Sequence, residues 1–181
     1  MLESVEVMIS EQEIQKRLDE LAAEISQDYA GKTITLVCVL KGGVIFMADL
    51  ARKIKLHVEF DFIDISSYGS STVSSGIIRI NKDLEHSITG KYVLLAEDII
   101  DSGNTLGYLL DYLNSKQPAG LKVCSLLDKP DRRAASGVKV DYTGFVIPDE
   151  FVVGYGLDYD QKYRNLPYIG ILKMKEGQDI E

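Results

Sequence analysis

With 181 residues, 45% of them hydrophobic and 27% charged, the chain is long enough to bury a core without disulfides or a structural metal, and we expect one domain over residues 1–181. Its formal net charge of -8 argues against a nucleic-acid backbone as partner, because that binding draws on clustered Lys and Arg to displace counterions. Cys38 and Cys124 sit in separate apolar runs without a CxxC pairing, which argues against redox and metal roles and reads as small core residues in a reducing compartment.

The opening stretch MLESVEVMISEQEIQK carries acids where a secretory signal would carry a basic end and an apolar core, so no targeting segment is expected. Ser10-Glu11-Gln12-Glu13 has the form of a capping box, with Ile9 and Ile14 placed to staple the turn. Ile14, Leu18, Leu21 and Ile25 then form one apolar face, which predicts a helix to about Tyr29. Ile34 to Leu40 is a continuous apolar run, the pattern of a strand covered on both faces, and Val44 to Ile54 after Lys41-Gly42-Gly43 reads as a helix. The same glycine-containing interruption, followed by Asp49, excludes a membrane span from the most apolar window of the chain. A cytoplasmic protein with no membrane partner is expected.

Val58 to Ile65 reads as a further strand, followed by a long loop of small polar residues from Ser66 to Gly76 and a short strand at Ile77 to Ile80. Tyr92 to Ala96 is a buried strand, Leu106, Leu109, Leu110 and Leu113 mark a helix, and Leu121 to Leu127 is a third buried strand. Strand, helix and strand alternate in the order of a parallel sheet, so the class is α/β. Beyond Lys129-Pro130, short strands at Gly144 to Ile147, Phe151 to Val153 and Tyr168 to Leu172 are separated by turns and suggest a cover or small hood. Neither an internal repeat nor a linker is expected.

Ligands of open parallel sheets collect outside the carboxyl ends of the strands, and Glu97-Asp98 to Thr105 lies at that edge, between a buried strand and a helix. Ser102, Gly103, Asn104 and Thr105 offer hydroxyls, an open backbone and the free N–H groups of a helix start, the components that hold a phosphate. Glu97, Asp98 and Asp101 would repel such a ligand unless they meet a ribose diol, a cation or a proton to remove. A phosphorylated sugar meets all three conditions. Taken alone, the segment would also fit a capped helix with solvated acids.

VLLA followed by EDIIDSGNTL closely resembles the phosphoribosyl diphosphate signature of type I phosphoribosyltransferases, in particular the hypoxanthine-guanine branch. VLKGGVIFMADL at Val39 to Leu50, SSYG at Ser66 to Gly69 and VIPDEFVVGYGLDYDQKYRNLPYIG at Val146 to Gly170 resemble the remaining family segments in the expected order, so the resemblance covers about residues 5 to 172. It implies a mainly parallel sheet flanked by helices, with a small hood formed by the terminal segments. The implied reaction is purine salvage: transfer of the 5-phosphoribosyl group from phosphoribosyl diphosphate to hypoxanthine or guanine, assisted by Mg2+. A preference for xanthine, or a regulator that senses phosphoribosyl diphosphate without catalysis, are the alternatives.

Through the resemblance, Glu97 and Asp98 hold the ribose hydroxyls directly or through magnesium, Asp101 is the base near the imidazole nitrogen of the purine, and Ser102, Gly103, Asn104 and Thr105 grip the 5-phosphate. Lys41 and Gly42 match the pyrophosphate loop, in which a strained backbone presents its N–H groups. Lys129 matches the ammonium at the exocyclic purine oxygen, a contact that separates 6-oxopurines from 6-aminopurines. Phe151 matches the aromatic that stacks on the base, Val152 a backbone contact to its edge, Asp158 a carboxylate near a second magnesium, and Arg164 a pyrophosphate contact. Ser67 and Tyr68 match a pair in the closing loop, whose Ser- and Gly-rich composition suits a lid that excludes water. Without the resemblance, KGG is a tight turn, Lys129 a surface lysine, Phe151 and Val152 core, and residues 66–76 a surface loop.

Two mild departures are Ser102, where many relatives have Thr, and Asn104, at a variable position; Gly156 before Leu157-Asp158 is expected to loosen purine packing. The family generally forms dimers or tetramers, so a homo-oligomer is expected. Other enzyme classes lack support, since GxGxxG after a strand and GxxxxGK[ST] are absent and His57 and His86 lack metal-ligand spacing.

Overall fold

A computed structural model describes residues 4–67, 78–133 and 138–173. In chain order these form β1 (Ser4–Ile9), α1 (Glu11–Asp28), β2 (Ile34–Leu40), α2 (Val44–Lys53), β3 (Val58–Ser67), β4 (Ile78–Lys82), β5 (Tyr92–Ile100), α3 (Asn104–Ser115), β6 (Gly120–Asp128), a 3-10 turn (Pro130–Arg132), β7 (Tyr142–Val146), β8 (Val152–Val153) and β9 (Ile169–Lys173).

The larger sheet runs β4-β3-β2-β5-β6-β7. Its members are parallel except β4, which lies antiparallel to β3. The apolar runs of β2, β5 and β6 split by alternation between two cores. Leu36, Cys38, Leu94, Ala96, Cys124 and Leu126 enter the core that also holds Ile14, Leu18, Leu21 and Ile25 of α1 and Phe46 and Leu50 of α2. Val37, Val93, Leu95 and Val123 enter the core of Leu106, Leu109 and Leu113 of α3. Helices on both faces are the reason these strands read as continuous hydrophobic stretches.

The capping box of α1 is present: Glu13 N donates to Ser10 Oγ at 3.3 Å and Ser10 N donates to Glu13 Oε2 at 2.8 Å. Both cysteines are fully buried, and burial pushes the Cys38 thiol up to about 12 and raises that of Cys124 as well. They are core residues, as their apolar neighbours indicated.

A smaller sheet, ordered β1-β9-β8, brings the two ends of the described chain together, with β1 antiparallel to β9 and β9 antiparallel to β8. This is the hood. β1 was not among the predicted strands, and β5 continues to Ile100 where a strand ending at Ala96 was expected. The chain leaves β2 towards β3 and β4, then returns to β5 on the other side before moving out to β6 and β7. The carboxyl ends of β2 and β5 therefore meet where the order reverses, the place such sheets favour for ligands. No described helix is long and apolar enough to cross a membrane.

Candidate active site

At that reversal lies a cavity of about 270 Å³, walled by Val39 and Ile65 on one side and by residues 97–103, Thr105 and Leu106 on the other. Glu97 and Asp98 enter it from the last residues of β5. Glu97 is only 7% exposed, and burial together with the neighbouring Asp98 charge holds its carboxyl well above the usual carboxylate range. The Asp98 carboxyl is raised too, by burial foremost, against the Ile99 N–H that donates to its Oδ1 at 2.9 Å and the positive charge of Arg164. Two adjacent acids whose ionisation is opposed by burial are a place where a cation is favoured.

The loop after β2 is pressed against these acids. A Cβ on Gly42 would fall 1.6 Å from Asp98 Oδ2, so any side chain there requires movement of the carboxylate. From the other side Gly156, at φ +105, brings its Cα so close that a Cβ would lie 2.1 Å from the Gly42 carbonyl oxygen. Gly156 thus has a role its sequence context did not suggest: it lets the segment after β8 close directly over the Lys41-Gly42 loop. The Leu40–Lys41 peptide bond is cis. Lys41 itself points outward, its Nζ donating to Gln161 Oε1 at 3.3 Å.

Below the acids the chain turns through Gly103, at φ +81, into α3. No side chain caps this helix, so its first-turn N–H groups face the cavity mouth with their share of the helix dipole. Among the described residues, the one side-chain hydrogen bond within the turn is the long one from Asn104 N to Ser102 Oγ, 3.4 Å. Ser102 is half-buried and Asn104 and Thr105 are exposed. This combination of free amides and hydroxyls is an anion cradle. Asp101, at its rim, accepts a hydrogen bond from Arg132 Nε at 3.0 Å.

Beside the end of β5, where its N–H donates to the Ile100 carbonyl oxygen at 2.9 Å, Lys129 is buried, yet its ammonium reaches the loop before β8, donating to the Glu150 carbonyl oxygen at 2.7 Å and approaching Asp149 Oδ1 at 3.5 Å. Phe151 presents its ring edge-on to Tyr159, with centroids 5.7 Å apart. Val152 is buried in β8, which pairs only with β9 in the described sheets and so keeps one backbone edge outside the ladder. Asp158 and Arg164 meet each other: Nη2 lies 2.7 Å from Oδ1, while Gln161 N donates to Oδ2 at 2.8 Å. Arg164 Nη1 also donates to the Gly156 carbonyl oxygen at 2.7 Å.

The structure therefore gathers Lys41, Gly42, Glu97, Asp98, Asp158 and Arg164 about one loop, and Asp101 through Thr105 at the adjoining helix start. Lys129, Phe151 and Val152 stand on the hood side. Ser67 closes β3, whereas Tyr68 lies outside the described residues. Sequence reasoning missed Arg132, Asp149 and Gln161: Arg132 and Asp149 meet across separate loops, and the Gln161 side chain meets Lys41 from the far end of the chain. Gly156 carried a weak signal, as a glycine close to the hood's acidic and basic pair.

A profile of the phosphoribosyl transferase domain matches residues 8–160. Among known proteins, the hypoxanthine-guanine phosphoribosyltransferase of Bacillus subtilis is 53% identical over 167 residues, covering 92% of this chain and 92% of that protein. The bifunctional protein TilS/HprT of Listeria innocua is also 53% identical over 92% of this chain, which spans only 26% of that relative's length. Among solved structures, a hypoxanthine phosphoribosyltransferase from Staphylococcus aureus superposes with a TM-score of 0.89 at 49% identity, covering 93% of this chain and 91% of that one. Matched by one profile over most of its length, and by relatives that share about half its residues and, in solved structures, its fold, this chain belongs to the phosphoribosyltransferase family and has the type I fold.

Proposed function

We propose that this enzyme transfers the 5-phosphoribosyl group of phosphoribosyl diphosphate to hypoxanthine or guanine, giving IMP or GMP and pyrophosphate. One observation carries the reading: the buried Glu97 and Asp98 carboxylates share a cavity with the uncapped start of α3. That pairing suits a ligand that is anionic at one end and offers hydroxyls or a cation at the other.

Ser102, Gly103, Asn104 and Thr105 hold the 5-phosphate through amides and hydroxyls. Glu97 and Asp98 take the ribose hydroxyls, directly or through Mg2+. The described residues contain no cluster of three or more His, Cys, Asp or Glu able to hold an ion unaided, which fits magnesium, an ion usually bound by one or two carboxylates together with substrate phosphates. When bound, magnesium neutralises charge on the departing pyrophosphate. Gly42 and Lys41 present the loop that would meet this group, with Arg164 beside it, and Asp158, paired with Arg164 here, would be the carboxylate to hold a second ion.

On the hood side Phe151 stacks on the purine, Val152 reads its edge through the backbone, and the Lys129 ammonium donates to the exocyclic oxygen. Ser67 and Tyr68 close over the site. A purine ring nitrogen forms the new bond to the anomeric carbon as the bond to the pyrophosphate oxygen breaks, and Asp101 accepts the proton released from the ring. The protein mainly orients and shields, and holding two substrates in line can supply about 7 to 11 kcal/mol in favourable cases. Both sheets serve as one domain in a cytoplasmic homo-oligomer, a dimer or tetramer.

The test is turnover with phosphoribosyl diphosphate and hypoxanthine, guanine, xanthine or adenine supplied separately, with and without Mg2+. Nucleotide formation from hypoxanthine or guanine but not adenine is expected, and only with magnesium. Xanthine as the sole substrate would reassign the base, and binding of phosphoribosyl diphosphate without turnover on any base would make the protein a sensor.

A further inference from the structure

Arg132, on the 3-10 turn after β6, bridges two loops of the purine side of the cavity. Its Nε donates to Asp101 Oδ1 at 3.0 Å and its Nη1 to Asp149 Oδ2 at 3.2 Å. Asp149 in turn receives the Lys129 ammonium on its other oxygen, 3.5 Å away. The guanidinium thus uses two edges of one rigid plane to join the β5–α3 loop to the loop before β8, and Lys129 is tied to the same carboxylate. Among the described residues, Asp101 has no other hydrogen-bond partner, so its Oδ2 is unengaged.

We infer that Arg132 is a positioning residue for Asp101, holding one carboxylate oxygen so that the other faces the purine ring nitrogen. This rests on the proposed role of Asp101 as the base. Three physical points support it. An aspartate on a turn between strand and helix has two free side-chain torsions, and a single anchored oxygen removes most of that freedom where near-attack geometry matters. The anchor is itself held by Asp149, the carboxylate that also takes Lys129, so the base and Lys129, which reads the purine oxygen, are placed relative to one frame. Arg132 is 52% exposed and Asp101 46%, and a pair so open to water contributes little to stability, so its two-point geometry has another use. Lys in place of Arg keeps the charge but not the rigid fork.

A double-mutant cycle tests this. Asp101→Asn preserves the acceptor for Arg132 and removes the base, and should lower kcat by about 10²-fold or more. Arg132→Gln should lower kcat on the order of tenfold to a hundredfold with the KM values and melting temperature of the wild type, and Arg132→Lys should recover part of the loss. In the Asp101→Asn background, Arg132→Gln should cost nothing further, because there is no base left to position. Wild-type kcat in Arg132→Gln, or a loss that multiplies undiminished onto Asp101→Asn, overturns the inference while leaving Asp101 as the base. Wild-type turnover in Asp101→Asn overturns the base assignment itself, and the positioning role with it.

Discussion

Gly42 is the residue on which the geometry of the site turns. With a Cβ placed 1.6 Å from Asp98 Oδ2, Gly42→Ala must displace either the carboxylate or the loop. Overpacking of this kind costs about 1–3 kcal/mol, and because the displaced group is a proposed substrate ligand, turnover should fall further than stability does. Steady-state kinetics and a thermal melt on the same sample separate the two effects. Glu97 gives a second prediction. Its folded-state carboxyl is raised above the ordinary value of 4.5, so the folded state holds a proton that the unfolded chain has released. The stability this provides is present at low pH and is lost as pH rises above 4.5 through the raised value. Thermal melts of the ligand-free protein from pH 4 upward should therefore show a steeper decline in the wild type than in Glu97→Gln, where only the raised Asp98 carboxyl of the pair remains. Glu97 and Asp98 could be singled out from the sequence because acids beside a phosphate-binding turn conflict unless they have a use. The pairing of Asp101 with Arg132 could not, since it depends on how two separate loops fold back, nor could that of Asp158 with Arg164, which depends on the turn between them.

Among the elements, the helices and buried strands were legible for a physical reason: α1 carries its own cap and a clean apolar face, and β2 and β6 are covered on both sides. The Ser10 cap should contribute about 1 kcal/mol, so Ser10→Ala is expected to lower the melting temperature by roughly 2–4 °C with kcat unchanged, because α1 lies on the far side of its core from the cavity mouth. An unchanged melting temperature would mean that the reciprocal hydrogen bonds of Ser10 and Glu13 contribute nothing. The end of β5 was misread because Glu97 and Asp98 break the apolar pattern, whereas the ladder continues through Glu97 opposite Ser125 and Ile100 opposite Asp128. β1 was missed because a short, half-exposed strand is specified by its partner, and β9 lies at the other end of the chain.

For the molecule as a whole, the strand order places the β2 and β5 loops side by side, and the segment after β8, part of the hood side, closes onto the β2 loop through Gly156. Gly156 against Gly42 and Lys129 against the Glu150 carbonyl are two of the points where the two parts touch. The parallel sheet was readable from the alternation of strands and helices, while the hood's joining of β1 to β9 was not. The proposed role of the cavity at this junction is phosphoribosyl transfer through Glu97 and Asp98. It is tested most directly by the rate of IMP formation from hypoxanthine and phosphoribosyl diphosphate at saturating Mg2+, measured for the wild type and for the Glu97→Gln/Asp98→Asn double variant. Turnover by the wild type and a loss of at least about 10²-fold in a folded variant are expected; turnover by the variant at the wild-type rate would remove Glu97 and Asp98 from the reaction.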